Sequence, residues 1–144
     1  MKYTCEILID LPRKRVIELF DNPDNMIKWQ EGLISFEHLS GEPGKVGAKS
    51  KMRYKMGKRE IDMIETITVN KLPDEFCGTY EADKTFNELK NYFTETAEGK
   101  TKWVAVSEFR FSGFMKLMGW LMPGAFKKQT MKFMEAFKKF VENE

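Results

Sequence analysis

The C-terminal part of the chain carries a helical hydrophobic pattern. Between Gly124 and Val141, large apolar residues recur three and four positions apart, which places their side chains on one face of an α-helix. Lysines occupy the other side. Such a helix, about 27 Å long, cannot bury an aromatic stripe by itself, so the rest of the chain must supply a surface for it. The residues of the predicted stripe are Phe126, Thr130, Phe133, Met134, Phe137, Phe140 and Val141.

Most of the preceding chain alternates between apolar and polar residues. Lys2–Ile9 predicts a first strand with one buried face. Arg13–Phe20 follows Pro12 and is typical of a short amphipathic helix, and Asp24–Gln30 of a second one. After Gly32, turn residues separate further strands with no helical segment between them, which predicts an antiparallel meander. The six further strands are predicted at Leu33–Ser40, Lys49–Met56, Arg59–Val69, Glu75–Asp83, Glu88–Thr96 and Lys102–Phe111.

These elements predict an α+β fold in which a curved antiparallel sheet packs one apolar face against the long helix. The length of 144 residues, with 42% hydrophobic and 32% charged residues, fits a single domain spanning 1–144. A net charge of +2 argues against a nucleic-acid partner. The two cysteines, Cys5 and Cys77, share no metal-binding or redox spacing. Because no leader pattern or bilayer-length apolar run is visible, a cytoplasmic location is expected.

The order of several local features resembles one known superfamily. The features are Ile9–Pro12 running into the first helix, Trp29 closing the second, the turn Leu39–Ala48, Glu65 with Pro73 after it, and Gly99–Thr101 before the last strand. In this order they resemble the START/polyketide-cyclase-like superfamily (SRPBCC), which has the helix-grip fold. The resemblance implies a seven-stranded sheet curled around the long helix, with a cavity between them. Members bind lipids, polyketides or other apolar molecules, and a minority are cyclases, aromatases or dehydratases.

Strand alternation predicts which side chains face the long helix. This face mixes bulky apolar residues with small and hydroxylated ones such as Gly78, which favours a ligand cavity. Plain core packing is the alternative for each residue. The predicted ligand-binding residues are Met52, Tyr54, Met56, Ile61, Met63, Glu65, Tyr80, Trp103, Ala105, Ser107 and Phe109 from the sheet, with Phe126, Phe133 and Phe137 from the helix.

The segment 114–123 packs large apolar residues around Gly119 and Pro123, which interrupt a helix. We interpret it as a lid over the cavity mouth; the alternatives are a loop folded onto the sheet rim and a membrane contact helped by nearby lysines. The predicted lid residues are Phe114, Leu117, Met118, Trp120 and Met122.

Candidate acid–base chemistry is limited to a few residues. Glu65 alternates with apolar neighbours, so its carboxylate is expected to point inward with a raised pKa or a partner; the alternative is an outward turn or a pairing with Arg59. His38, the single histidine, has no nameable partner, so no catalytic triad is predicted. One histidine and two distant cysteines give no metal site, and no cofactor is expected.

Three functions are consistent with these patterns. The first is binding or transport of a small hydrophobic ligand. The second is a cyclase or dehydratase in which Glu65 and a tyrosine, Tyr54 or Tyr80, form the acid–base pair. The third is a protein-interaction module that uses the lid or a basic outer row, which would otherwise be a solvated face. The sequence leaves the oligomeric state open. The basic row consists of Lys49, Lys51, Arg53 and Lys55.

Overall fold

The computed structural model of the protein describes residues 1–113, 116–117 and 123–144. Strand β1 spans Lys2–Ile9. Helix α1 spans Arg13–Phe20, and a 3-10 turn at Pro23–Asn25 leads into helix α2, Met26–Trp29. The long C-terminal helix α3 spans Pro123–Glu142. The six remaining strands are β2 (Leu33–Ser40), β3 (Lys49–Met56), β4 (Arg59–Lys71), β5 (Glu75–Ala82), β6 (Thr85–Glu95) and β7 (Thr101–Phe111).

The strands form one seven-stranded antiparallel sheet in the order β1-β7-β6-β5-β4-β3-β2. The first strand pairs with the last, and Cys5 lies directly opposite Ala105. From β2 to β7 each strand pairs with the next along the chain, as a meander requires. The predicted architecture, a seven-stranded antiparallel sheet with two short helices after β1 and a long C-terminal helix, is confirmed.

Hydrogen bonds at both ends attach helix α3 to β1. Near its beginning, the hydroxyl groups of Tyr3 and Thr130 lie 2.6 Å apart, and Tyr3 also donates to the carbonyl of Phe126 at 3.2 Å. Near its end, Lys138 Nζ donates to the carbonyl of Leu8 at 2.9 Å. The helix therefore lies along β1 and is held over the concave face of the sheet.

An aromatic cluster fills one end of the interface between helix α3 and the sheet. Phe137 of α3 is fully buried. Its ring centroid lies 5.0 Å from that of Trp29, 5.3 Å from Trp103 and 5.9 Å from Phe20. Edge-to-face contacts at these distances add to the stabilisation from burying each ring, about 0.5–1.5 kcal/mol for each pair. The sequence predicted this helix face, and the short helices α1 and α2 complete its packing.

A second, smaller cluster lies on the concave face of β2 and β3. Met52 and Tyr54 are buried there. Met63, Tyr80 and Phe133 pack against them and are only partly buried. The concave face is therefore more accessible in this region than around Phe137.

Strand β6 begins at Thr85, three residues earlier than the alternation predicted. Asp83 and Lys84 form the tight turn that precedes it, and Lys84 has a φ of 58°. Lysine rarely adopts this left-handed conformation, so the residue type did not indicate a turn. The earlier start brings Asn87 into the sheet.

The connection from α2 into β2 depends on Gly32. Its φ is 89°, and a Cβ at this position would lie 2.5 Å from the carbonyl oxygen of Lys55. A bulge follows between Leu33 and Ser35, and Ile34 is 44% exposed. Leu33 pairs with Tyr54 and Ser35 with Arg53, so the bulge interrupts the regular alternation of the strand at Ile34. His38 is exposed on this edge strand, opposite Ser50.

Both cysteines are buried free thiols. Over the residues described here, no helix is long and apolar enough to cross a membrane. The same residues contain no group of three or more histidine, cysteine or acidic side chains that could hold a metal ion.

Candidate functional site

Four polar side chains lie in a row across the concave face. Ser50 of β3 is directly paired with Glu65 of β4, Glu65 with Tyr80 of β5, and Tyr80 with Asn87 of β6. Directly opposed residues on antiparallel strands project from the same face, about 5 Å apart. We call these four residues the polar row. Along each strand, the neighbours on the same face are mainly apolar.

The central contact of the polar row joins Tyr80 and Glu65. The Tyr80 hydroxyl donates to Oε2 of Glu65 at 2.9 Å. Glu65 is 8% exposed. Burial raises the pKa of its carboxyl group, and the hydrogen bond from Tyr80 partly offsets that rise. Burial and the nearby Glu65 carboxylate raise the pKa of Tyr80 well above its usual value. Tyr80 therefore keeps its proton at physiological pH, and Glu65 titrates closer to neutrality than an ordinary glutamate.

Glu65 has no cationic partner among the described residues. The register places Ser50, Met52 and Tyr54 of β3 beside it, and the inward residues of β5 and β6 are likewise neutral. The nearby basic residues of β3 alternate onto the opposite face. An ionised carboxylate without a partner is destabilised in an apolar environment. Binding of a proton or of a cation would stabilise Glu65 here.

Asparagines of β6 extend the polar surface towards β7. Asn87 Nδ2 donates to Ser107 Oγ at 2.8 Å and to the carbonyl of Glu108 at 3.1 Å. Asn91 Oδ1 accepts from Trp103 Nε1 at 2.9 Å. Sequence reasoning missed both asparagines as site residues. For Asn91 the signal was available, because it alternates with Phe93 onto one face of the predicted strand, whereas Asn87 lies before the predicted start of that strand.

Tyr54 connects the sheet to the two helices above it. Its hydroxyl donates to Gln30 Oε1, at the end of α2, and its ring stacks on Phe133 of α3 with centroids 6.5 Å apart. Burial, with a smaller effect of Glu65, raises the pKa of Tyr54 far above its usual value. Gln30 was not predicted as a site residue, because nothing in the sequence indicates that the end of α2 faces β3.

The structure distributes the other predicted lining residues over three regions. Met52 and Met63 are directly paired and lie on the concave face beside Glu65. The rings of Phe109 and Phe126 lie 5.0 Å apart between centroids near the beginning of α3, tilted by 51° to each other. The remaining residues lie elsewhere: Trp103 and Phe137 in the closed aromatic cluster, Ala105 and Ser107 buried on β7, Ile61 half-buried on β4, and Met56 38% exposed at the end of β3.

Most of the predicted lid lies outside the described residues. This applies to Phe114, Met118, Trp120 and Met122. Leu117 is described and is 49% exposed. The role of the lid stays a prediction.

An open depression of about 350 Å³ lies at the end of the β5–β6 hairpin. Ala82 and Thr85 line it, each two residues along its strand from Tyr80 and Asn87 of the polar row. The depression therefore borders the polar row, although it is open to solvent rather than enclosed between helix and sheet. Its further lining residues include Lys84, Phe86, Arg110 and Phe111.

The basic row on the outer face is partly neutralised by neighbouring strand β4. Arg53 Nε lies 2.8 Å from Asp62 Oδ1, and Lys51 Nζ lies 3.6 Å from Asp62 Oδ2. Lys49 donates to the hydroxyl of Thr66 at 2.8 Å. The two ion pairs with Asp62 reduce the positive potential that a binding strip for an acidic partner would need.

Comparison with solved structures finds the same architecture over the whole chain. Zhui aromatase/cyclase from Streptomyces sp. R1128 superposes with a TM-score of 0.81 at 9% sequence identity, covering 99% of this chain and 93% of that one. Ara h 8.0201 gives 0.79 at 15% identity, with 100% and 99% coverage. Ginseng major latex-like protein 151 from Panax ginseng gives 0.75 at 13% identity, with 98% and 97% coverage.

No protein-family model matches the chain, and no curated protein sequence does. At these identities the structural similarity establishes the fold, and the expectation from the local sequence features agrees with it. The chain therefore shares the fold of these three structures over its whole length, and the helix-grip architecture predicted from the sequence is confirmed.

Proposed function

We propose that the protein binds a small hydrophobic molecule between the concave face of the sheet and helix α3. The observation that carries this proposal is the polar row, which crosses an otherwise apolar face beside partly buried Met63 and Phe133. Ligand sites combine apolar walls with a few convergent polar groups that orient the ligand. A buried glutamate lowers the stability of a core whose role is packing alone, because its carboxyl group loses hydration.

Two regions of the interior would have different roles in this function. The aromatic cluster around Phe137 is closed and sets the floor of the site. The region around Met63, Tyr80 and Phe133 is less completely buried and would hold the ligand. The flexible thioethers of Met52 and Met63 suit a wall that adapts to its ligand. Met56, Trp103 and Phe137 then contribute less to binding than the sequence predicted.

A fluorescence displacement assay tests this proposal. An environment-sensitive apolar fluorophore is titrated into the purified protein, and a panel of lipids and aromatic polyketides is used to displace it. Mass spectrometry of the natively purified protein checks for a co-purified compound. Saturable fluorophore binding with displacement by at least one compound class is expected.

A matched pair of variants locates the binding. Met63 lies on the concave face opposite Met52, whereas the next residue, Ile64, faces outward opposite Lys51. Met63→Trp should fill the site and weaken binding at least about tenfold, while Ile64→Trp should leave it unchanged. Thermal unfolding verifies that both variants fold. Equal binding by the two variants, or no binding by the wild type, would refute the proposal.

The hydrogen bond between Tyr80 and Glu65 favours a second candidate, an enzyme of the cyclase or dehydratase type. A carboxylate with a raised pKa is suited to remove a proton next to a carbonyl group, and a protonated phenol is suited to donate to the carbonyl oxygen. The similarity to a structure described as an aromatase/cyclase is compatible with this chemistry. Turnover of poly-β-ketone analogues that falls at least about a hundredfold in both Glu65→Gln and Tyr80→Phe would support it. Unchanged turnover in Glu65→Gln would exclude it.

The structure gives the protein-interaction alternative less support, because the row of basic residues is partly neutralised by Asp62. The single domain spanning 1–144 and the cytoplasmic location stay predictions. For the location, the two free thiols of Cys5 and Cys77 are the supporting observation.

A further inference from the structure

We infer that the ligand is an apolar molecule bearing a basic amine, and that its ammonium group pairs with Glu65. This inference rests on the proposed function and specifies the ligand class for the same site. It comes from three features of the surroundings of Glu65: the absence of a cationic side chain among the described residues, the incomplete burial of this region, and the aromatic rings next to Glu65.

The first feature is the missing cation. On the concave faces of β3 to β6, Glu65 is the one ionisable acid, and lysine and arginine residues alternate onto the outer face. Among the described residues its one hydrogen-bonding partner is the neutral hydroxyl of Tyr80. A buried carboxyl group is stable when it is protonated or when its carboxylate is paired with a cation. Because the described residues provide no cation here, a ligand can.

The second feature is access. Glu65 is 8% exposed, in contrast to the fully enclosed Phe137 of the aromatic cluster. Its neighbours Met63 and Tyr80 are only partly buried. Because Glu65 and these two neighbours are not completely enclosed, this region is less tightly sealed than the surroundings of Phe137.

The third feature is the set of aromatic rings. Tyr80 is hydrogen-bonded to Glu65. Tyr54 and Phe133 stack on each other in the smaller cluster on β2 and β3, against which Tyr80 also packs. The faces of such rings attract ammonium groups at distances up to about 6 Å. An ammonium group would therefore gain a charge-assisted hydrogen bond to the carboxylate and favourable contacts with the rings. A carboxylate ligand would be repelled by the same arrangement.

Three probes with one apolar tail and different head groups test the inference: octylamine, octanol and octanoate. Their affinities are measured by displacement of the apolar fluorophore at neutral pH. We expect octylamine to bind at least about tenfold more tightly than octanol, and octanoate to bind most weakly. Glu65→Gln should abolish the preference for the amine while retaining octanol binding. Glu88→Gln, which removes an acid from the outer face of β6, should leave the preference unchanged.

The preference should also depend on pH, because protonation of Glu65 removes the charge that the ammonium group recognises. Lowering the pH should reduce the affinity for octylamine towards that for octanol. Tyr54 and Tyr80 keep their protons over this range, and α2 and α3 approach the cluster with the uncharged Gln30 and Phe133. His38 lies two strands from Glu65 in the same row of the sheet, so His38→Gln serves as a control variant and should leave the pH dependence unchanged.

The outcomes separate this inference from the proposed function. If the fluorophore binds and octanol or octanoate equals or exceeds octylamine, the amine inference is overturned and the binding function stands. If none of the three probes displaces a bound fluorophore, the amine inference is likewise overturned. If the fluorophore itself does not bind, both are overturned. Where Glu65→Gln fails to fold, Glu65→Asp, which withdraws the charge by one methylene group, should reduce the preference in its place.

Discussion

Tyr80 and Glu65 are directly paired across β4 and β5, and the tyrosine hydroxyl donates to the glutamate at 2.9 Å. The pair lies on the concave face, where burial works against ionisation of both groups. Tyr80 thus offsets part of the cost of placing a carboxyl group in an apolar environment.

The first prediction concerns the pH dependence of stability. The pKa of Glu65 is higher in the folded than in the unfolded protein, so the folded state binds the proton more tightly. Stability should therefore fall as the pH rises, beginning near 4.5, where an unfolded glutamate titrates, and ending at the raised pKa. One group contributes at most about 1.4 kcal/mol per pH unit. Glu65→Gln should remove this decline, as measured by urea unfolding at a series of pH values. An unchanged pH profile would contradict it.

The second prediction concerns the hydroxyl of Tyr80. Tyr80→Phe leaves Glu65 without this hydrogen bond and should lower the free energy of unfolding by about 1–3 kcal/mol at neutral pH. It should also raise the pKa of Glu65 further. Tyr92, on the outer face of β6, provides the control, and Tyr92→Phe should change stability by less than about 0.5 kcal/mol. Denaturant unfolding gives both values, and equal losses in the two variants would show that the contact contributes little.

The third prediction compares two tryptophans of the aromatic cluster. Trp103 Nε1 donates to Asn91, whereas Trp29 Nε1 is buried and has no hydrogen-bond partner within the described ranges. Replacing Trp103 by phenylalanine leaves the Asn91 oxygen without its donor, and replacing Trp29 removes an unpaired donor. Trp103→Phe should therefore be less stable than Trp29→Phe by about 1–3 kcal/mol. Thermal or denaturant unfolding of the two proteins measures the difference; a larger loss for Trp29→Phe would contradict the prediction.

The fourth prediction compares Phe137, in the closed aromatic cluster, with Phe133, in the region proposed to hold the ligand. Phe137→Ala removes a fully buried ring from the closed cluster and should cost about 3–5 kcal/mol. Phe133→Ala removes a partly buried ring that stacks on Tyr54, so its cost in stability should be smaller, while its effect on binding of the apolar fluorophore should be larger. Unfolding and fluorescence titration are measured on the same samples. If Phe137→Ala weakened fluorophore binding more than Phe133→Ala, the ligand would lie among the rings around Phe137.

Sequence periodicity determined the elements because each one has an apolar face that repeats at its own period. The stripe from Phe126 to Val141 predicted helix α3, and the bounds predicted for β2 and β3 agree with the structure. Periodicity failed where the backbone departs from a regular repeat. The turn at Asp83 and Lys84 carries no glycine or asparagine, and a bulge interrupts the alternation at Ile34.

The composition of the site depended on register as well as on alternation. Alternation indicated that Glu65 and Tyr80 each face inward, but it could not place them opposite one another. The pairing of β4 with β5 decided this, and the pairing of β5 with β6 added Asn87. Gln30 reached Tyr54 only through the packing of α2 over β3.

The amino-acid sequence by itself determined the order of the strands and helices and their apolar faces, since these follow from local periodicity and steric preference. The tertiary structure decided which inward side chains fill the closed cluster around Phe137 and which line the accessible region around Glu65. The physical reason is that burial and hydrogen bonding between distant segments depend on strand register and on where the helices cross the sheet, and neither is encoded in the spacing of residues within one element.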